Sequence, residues 1–352
     1  MKIAFYTPHL TFRGTCVAIY DYAHYCEVML KHSCYILTPK EHSSRTLDDN
    51  DVAYRWMASR FPITFLNSLD DVSEKDADVV YIIKHGQKDD VVFKNVTFVV
   101  HCVFTMSYPH GKVYAAVSKT LAHKCNRPEY VPHMVSMNTY WVLPDLRKSL
   151  GIPEDATVFG RYGGMDTFNV RFARDVISNI VRYRKNIYFL FMNTPKWDVH
   201  DQIIHIPPIA NHGFKKRFIL SCDAMVVPEA LGHTFGLSIG EFQTFNKPII
   251  CYNHELMNTA HVDTLGDSGI YFRTPEEFVI VLLSFTRSTI SANTFAEYTP
   301  KNVMTSFENV FFIGELTNHR EHTHQSVGQR LVGEVGDRLH VRRGRSSVLE
   351  SS

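Results

Sequence analysis

Four short strings in this sequence carry residues suited to holding a charged, hydroxylated ligand. The first is Pro228-Glu229-Ala230-Leu231-Gly232-His233-Thr234-Phe235-Gly236-Leu237-Ser238-Ile239-Gly240-Glu241, followed by Asn246-Lys247-Pro248-Ile249-Ile250. An apolar run, AMVV (224–227), stops at Pro228, a glycine-containing loop turns, and a helix starts near Phe235-Gly236-Leu237. Free amides at a helix start hold phosphate, helped by the positive end of the helix dipole. Gly236 permits close approach of a ligand. Glu241 falls about one turn into the helix, where a carboxylate can accept both hydroxyls of a ribose diol. The same string also fits an ordinary strand–loop–helix crossover with a surface glutamate.

The second string, Gly160-Arg161-Tyr162-Gly163-Gly164, follows the apolar run ATVF. A fixed guanidinium there could neutralise charge growing on a phosphate leaving group, and the glycines form either a plain turn or a place of close approach. The third is His101, directly after VTFVV, able to bond a sugar hydroxyl or a phosphate, or to serve the core. The fourth is Arg13-Gly14-Thr15 after the first apolar run.

Other chemistries find little footing. No GxGxxG follows the first strand, and no P-loop or GxSxG elbow occurs. Asp76-Ala77-Asp78 and Cys222-Asp223-Ala224 precede apolar runs rather than end them, so they read as loops entering strands, not metal sites. Asp48, Asp49 and Asp51 read as a solvated loop. His319, His322 and His324 fall in a tail without aromatic residues, rich in His, Arg, Gly and Ser, where a designed metal site is not expected. The seven cysteines contain no CxxC pair and read as free thiols of a reducing cytosol.

The elements that must position these groups follow from short all-apolar runs separated by helical or loop stretches. Strands are expected at 3–6, 34–37, 63–66, 79–83, 96–100 and 113–117, with a helix over 15–31 and a short one over 141–149. Gly151-Ile152-Pro153-Glu154-Asp155 reads as a connection between domains. The pattern then restarts: strands at 156–160, 187–191, 203–206, 224–227, 248–252 and 269–272, and helices over 168–184, 214–220, 237–246 and 275–287. Thr274 stands ready to cap the last of these, and a further helical stretch covers 303–312. The expected fold class is α/β, with two Rossmann-like domains facing across a cleft: 1–150, 151–300, a helix near 300–316 that packs back on the first, and a disordered tail from 319.

The Phe235-Gly236-Leu237, Glu241 and Lys247-Pro248-Ile249-Ile250 residues resemble the donor-site motif of GT-B glycosyltransferases of the group 1 type. Their pattern is a glutamate, Gly-Phe-Gly, a second glutamate and Gly-x-Pro before an apolar strand. His233 stands where the first glutamate is found, and Asp166 and Thr167 stand where a lysine is usual, with Arg171 nearby. The resemblance implies a nucleotide diphosphate sugar donor, a UDP- or GDP-sugar, used without a metal or other cofactor and with retention of anomeric configuration. It implies donor binding by Gly14, Gly163, Gly164, Thr234, Phe235, Gly236, Leu237 and Glu241. Arg161 would face the diphosphate, and His101 and His233 the sugar. The acceptor would be a glycan, a lipid-linked molecule or a small molecule on the N-terminal side. A non-catalytic nucleotide-sugar or glycan-binding protein and a sugar-nucleotide epimerase share the same fold expectation.

The 352 residues, at 45% hydrophobic and 21% charged, suffice for two cores. The formal net charge of +1 offers no electrostatic case for nucleic acid. The longest apolar run, FVIVLL (278–283), is far below the ~20 residues of a membrane span. The N-terminus is too short in apolar residues for a secretory signal. A cytoplasmic protein is expected, with peripheral membrane contact if its acceptor is lipid-linked.

Overall fold

The computed structural model describes residues 1–40, 49–137, 139–209, 211–287 and 289–313. The expected tail from 319, its histidines and Asp48 lie outside the described residues.

The chain opens with β1 (Lys2–Tyr6), α1 (Gly14–Val28), β2 (Ser33–Pro39), α2 (Asp49–Ala58), β3 (Ile63–Leu66), β4 (Val79–Lys84), β5 (Phe98–Cys102), β6 (Val113–Ala116) and α3 (Lys119–Lys124). These strands pair in parallel in the order β3-β2-β1-β4-β5-β6. The second half runs β7 (Thr157–Tyr162), α4 (Arg171–Tyr183), β8 (Ile187–Met192), β9 (Ile203–Ile206), α5 (His212–Ser221), β10 (Ala224–Val227) and β11 (Gly232–His233). It continues with α6 (Leu237–Gln243), β12 (Ile249–Tyr252), β13 (Asn258–Thr259), α7 (Ala260–Leu265), β14 (Gly269–Phe272) and α8 (Pro275–Ser284). Its main sheet is also parallel and six-stranded, ordered β14-β12-β10-β7-β8-β9. β11 and β13 form a separate two-residue parallel bridge.

Both sheets reverse direction beside their first strand, at β1/β4 and at β7/β10. Ligands of open parallel sheets collect beyond the strand ends at such a reversal. Arg161 and Tyr162 end β7, and Pro228 follows β10, so the two sequence strings meet there.

Strands covered on both faces need apolar residues throughout; all six residues of β4 are buried. α4 buries Ala173, Val176, Ile177, Ile180 and Val181 on one stripe. Ser118, Asn211, Thr274 and Thr299 cap α3, α5, α8 and the last helix, α9 (Pro300–Glu308), by accepting from helix-start amides. α9 lies on the first half: Phe307 stacks on Tyr22 of α1 at 4.7 Å, and Phe311, in the π-helical turn that follows, meets Tyr81 at 5.4 Å.

Asp49 and Asp51, expected in a loop, fall in the first turn of α2, and two expected elements differ. Residues 141–149 are not a helix; only Lys148–Leu150 form a 3₁₀ turn. Bonds to α5 and its neighbours replace the helical ladder: Leu146 N donates to Ser221 Oγ (2.7 Å), and Arg147 donates to Ser221 O, Ala156 O and Asp223. α4 starts at Arg171 rather than 168, because the amides of Asn169 and Val170 bond to Pro228 O and hold that stretch extended. The acids of the strand-entry loops are spent internally. Asp78 accepts from Lys2 N, and Asp223 from Arg147 and Val158 N.

Candidate functional site

Arg161 is only 2% exposed at the end of β7. Its Nη1 donates to Thr194 Oγ1 at 2.8 Å and its Nη2 to Thr167 Oγ1, while its guanidinium lies 5.4 Å from the Phe168 ring centre. Burial lowers its pKa to about 10, so the cation survives at neutral pH. A Cβ on Gly163 would come within 3.3 Å of Nη2, so glycine leaves the cation room. Thr167 therefore orients Arg161 instead of supplying a second cation. Asp166 reaches Arg13 of the first half at 3.9 Å, both exposed.

Glu241 is not a surface residue: it is buried on α6. Tyr162 OH donates to its Oε2 at 2.6 Å and Lys215 Nζ to its Oε1 at 2.9 Å. Each carboxylate oxygen keeps a lone pair for a further donor. Lys215 comes from α5, where it occupies the buried face one turn before Ile219. Gly236, at φ +93°, caps α6, and a Cβ there would meet Ile239 and His261 at 3.1 and 3.3 Å. The first intrahelical bond is Gly240 N to Gly236 O, so the preceding amides precede the helical ladder.

His233 stands on β11, and Gly232 beside it, at φ +62°, has its Cβ position 2.2 Å from Asn258 O. The His233 amide donates to His261 Nδ1 at 3.3 Å, and the two rings meet edge to face at 5.0 Å. Burial drives His261 down to about 3, so it stays neutral and accepts at Nδ1. The Nε2 of His233 lies 3.1 Å from Glu229 Oε2.

These groups share one cavity of about 350 Å³ between the two halves. Its C-terminal wall includes Arg161, Tyr162, Gly163, Gly164, Lys215, Glu229, His233, Thr234, Phe235, Gly236, Leu237 and Glu241. Its N-terminal wall includes Phe12, Arg13, Gly14, Phe104 and His133. The molecule thus pairs two parallel α/β sheets around this cleft. The fold is GT-B. Solved structures similar to this chain include HepE of Anabaena in complex with UDP and glucose, at 11% identity and TM-score 0.61, covering 93% of this chain and 100% of that one. WaaG, a glycosyltransferase involved in lipopolysaccharide biosynthesis, shows 12% identity and TM-score 0.61, with 88% and 100% covered. A glycosyltransferase from Rickettsia africae gives 13% identity and 0.58, with 91% and 98% covered. Such GT-B neighbours agree in fold with the motif-based resemblance. No protein-family model matches the sequence, and no curated protein matches it.

Of the expected site residues, His101 is the one the GT-B framework keeps away from the cavity. It is fully buried, with Tyr81 OH 2.6 Å from Nδ1 and Nε2 2.8 Å from Val131 O. Burial lowers it to about 4, so it is neutral, donating from Nε2 and accepting at Nδ1. A core strand paired on both sides leaves that ring no path to solvent. His133, 5.4 Å from it ring to ring, faces the cavity instead. Gly14 lines the cavity, yet a Cβ there would touch nothing within 4 Å. Arg171 is exposed and outside the cavity wall, so it does not replace the missing lysine. Sequence reasoning missed Lys215, Glu229, Tyr162, Thr194 and His133. Only Lys215 left a readable sign: a lysine on the apolar stripe of a short helix.

Proposed function

We propose that this GT-B chain is a glycosyltransferase that moves a sugar from a UDP-sugar to a hydroxyl acceptor, with retention of configuration and without a divalent metal. One observation carries this reading: buried Arg161 and the Lys215–Glu241–Tyr162 cluster share a cavity lined by both halves. HepE, similar in fold, was solved with UDP-glucose, which makes uridine the first base to test.

In this reading Glu241 accepts the ribose hydroxyls while Lys215 and Tyr162 hold its carboxylate still. Arg161 and the amides at Phe235-Gly236-Leu237 stabilise charge building on the departing diphosphate. A desolvated cation fixed by two threonines needs no reorganisation when that charge appears. The acceptor proton passes to a leaving phosphate oxygen. The acceptor enters beside Phe12 and Phe104, the latter half-exposed and stacked on His85 at 4.8 Å, a flat face suited to a sugar ring. No helix of the described residues is long and apolar enough to cross a membrane. Glycan, lipid-linked and small-molecule acceptors are therefore tested side by side.

The test is calorimetry with UDP, GDP and ADP, with and without EDTA, followed by transfer or hydrolysis of UDP-sugars. UDP binding unchanged by EDTA, together with sugar release, supports the proposal. Binding without any turnover favours a non-catalytic binding protein, product without acceptor favours an epimerase, and no nucleotide binding removes the site assignment.

A further inference from the structure

Tyr140, Trp141 and Val142 are 90%, 71% and 99% exposed, in a loop that forms no part of the cavity wall. Single exposed apolar side chains are ordinary. Among the described residues, no other three consecutive large apolar side chains stand in water. A contiguous apolar cluster of this kind marks contact with something outside the chain.

The loop is tied down from beneath. Lys216 Nζ donates to Trp141 O, and Arg217 Nε donates to Pro144 O at 2.9 Å. Leu146 N donates to Ser221 Oγ at 2.7 Å. All three partners lie on α5, whose remaining lysine, Lys215, turns inward to Glu241. With its carbonyls held by α5, the loop presents its tip outward.

Shape and charge say what meets the tip. Almost nothing packs against Val142, so the tip protrudes. A protruding apolar tip enters a deformable surface without needing a matching pocket. Its footing is cationic: Lys148 is exposed, and α5 adds Lys216 and Arg217 and no acid. Asp145 is the one acid in residues 139–150. The whole chain carries a formal net charge of only +1, so this excess is local. Tyrosine and tryptophan beside basic residues suit a membrane–water interface, where the ring sits among headgroups and its polar atom stays wet.

We propose that the Tyr140-Trp141-Val142 tip docks this protein on an anionic lipid surface, with Lys148 and Arg217 supplying the attraction. Docking stands on this loop alone and does not depend on the glycosyltransferase reading or on the acceptor.

The experiment is co-sedimentation of the full chain with two kinds of vesicle. One is phosphatidylcholine alone, the other an equimolar mixture with phosphatidylglycerol. The parent should bind the mixed vesicles about tenfold or more tightly than the neutral ones, and less tightly as salt rises. Trp141→Ser combined with Val142→Ser should weaken that binding about tenfold or more, the scale of burying one large apolar side chain. Lys148→Glu should weaken it about fivefold or more. Lipids brominated along the acyl chain should quench parent emission but not that of Trp141→Phe, which keeps only Trp56 and Trp197. Because the loop lies off the cavity wall, UDP affinity and the urea midpoint of every variant should match the parent's, which also reports that each is folded. A parent that sediments with neither vesicle, or tip variants that bind as the parent does, would overturn docking. Equal binding to both vesicles would overturn the anionic surface. A parent dimer that the tip variants lose, without vesicle binding, would assign the tip to a second copy instead. If the parent binds vesicles but no UDP, the glycosyltransferase reading falls and docking stands.

Discussion

At the scale of single residues, the cavity is lined by side chains whose charges are buried and individually held, Arg161 and the Lys215–Glu241 pair above all. Arg161 is oriented by Thr167 and Thr194 and pressed on Phe168. Arg161→Lys would keep a charge but lose the planar fork. Turnover should fall about 100-fold or more, the scale of removing a transition-state donor, with nucleotide affinity much less changed. Steady-state kinetics beside UDP calorimetry checks this, and equal losses in both would contradict it. Lys215→Met should destabilise the fold by about 3–5 kcal/mol, because it leaves Glu241 buried beside only Tyr162. Urea melts give that number, and a loss below 1 kcal/mol would mean the pair is not buried in solution. Arg161 and Glu241 were legible from sequence because a glycine-flanked strand end and a helix start announce them. Lys215 and Glu229 were not, since their partners lie on other elements and only folding brings them together. His101 misled for the converse reason: a strand end in sequence says nothing about which side of the sheet its side chain enters.

At the scale of elements, nearly every strand was readable, because a buried parallel strand has to be apolar throughout. Short pieces escaped. α3 and α7, of six residues each, are too short to show a period. The β11–β13 bridge pairs two residues with two and rests on the left-handed backbone of Gly232. The loop at 141–147 carries helix-like composition but is held by side-chain bonds that no pattern reveals. α6 depends on Gly240 at its contact with the rest of the chain. A Cβ there would lie 2.6 Å from Val135 Cγ2 and 2.8 Å from Phe295 Cδ1. Gly240→Ala should therefore destabilise by about 1–3 kcal/mol despite the better helix propensity of alanine. A denaturation midpoint equal to or above the parent's would refute that packing.

At the scale of the whole molecule, buried titratable groups set the response to pH. His101, His133 and His261 are held below the ordinary imidazole range by burial, His101 at about 4 and His261 at about 3. As pH falls below about 6.5, the unfolded chain takes up protons that the folded chain refuses, so stability drops until the folded values are passed. Asp21 of α1 works the other way: burial lifts its carboxyl to about 7, and its contribution is lost as pH rises from about 4 to 7. Three histidines outweigh one acid, so the urea midpoint should fall between pH 6.5 and 4.5. A midpoint that rises over that interval would reverse the balance. The chain crosses between its halves around Val135, not at the connection expected over 151–155, because Leu146 and Arg147 already bond to Ser221 and Asp223 of the second half. It crosses back around Tyr298, where Val135 N donates to Tyr298 O at 2.8 Å. Two neighbouring crossings act like paired pins on one door. They leave a single easy swing and resist twist and sliding, since either would stretch one crossing against the other. Arg13 and Asp166 face each other across the lips of the cavity at 3.9 Å, so any such swing has to part them.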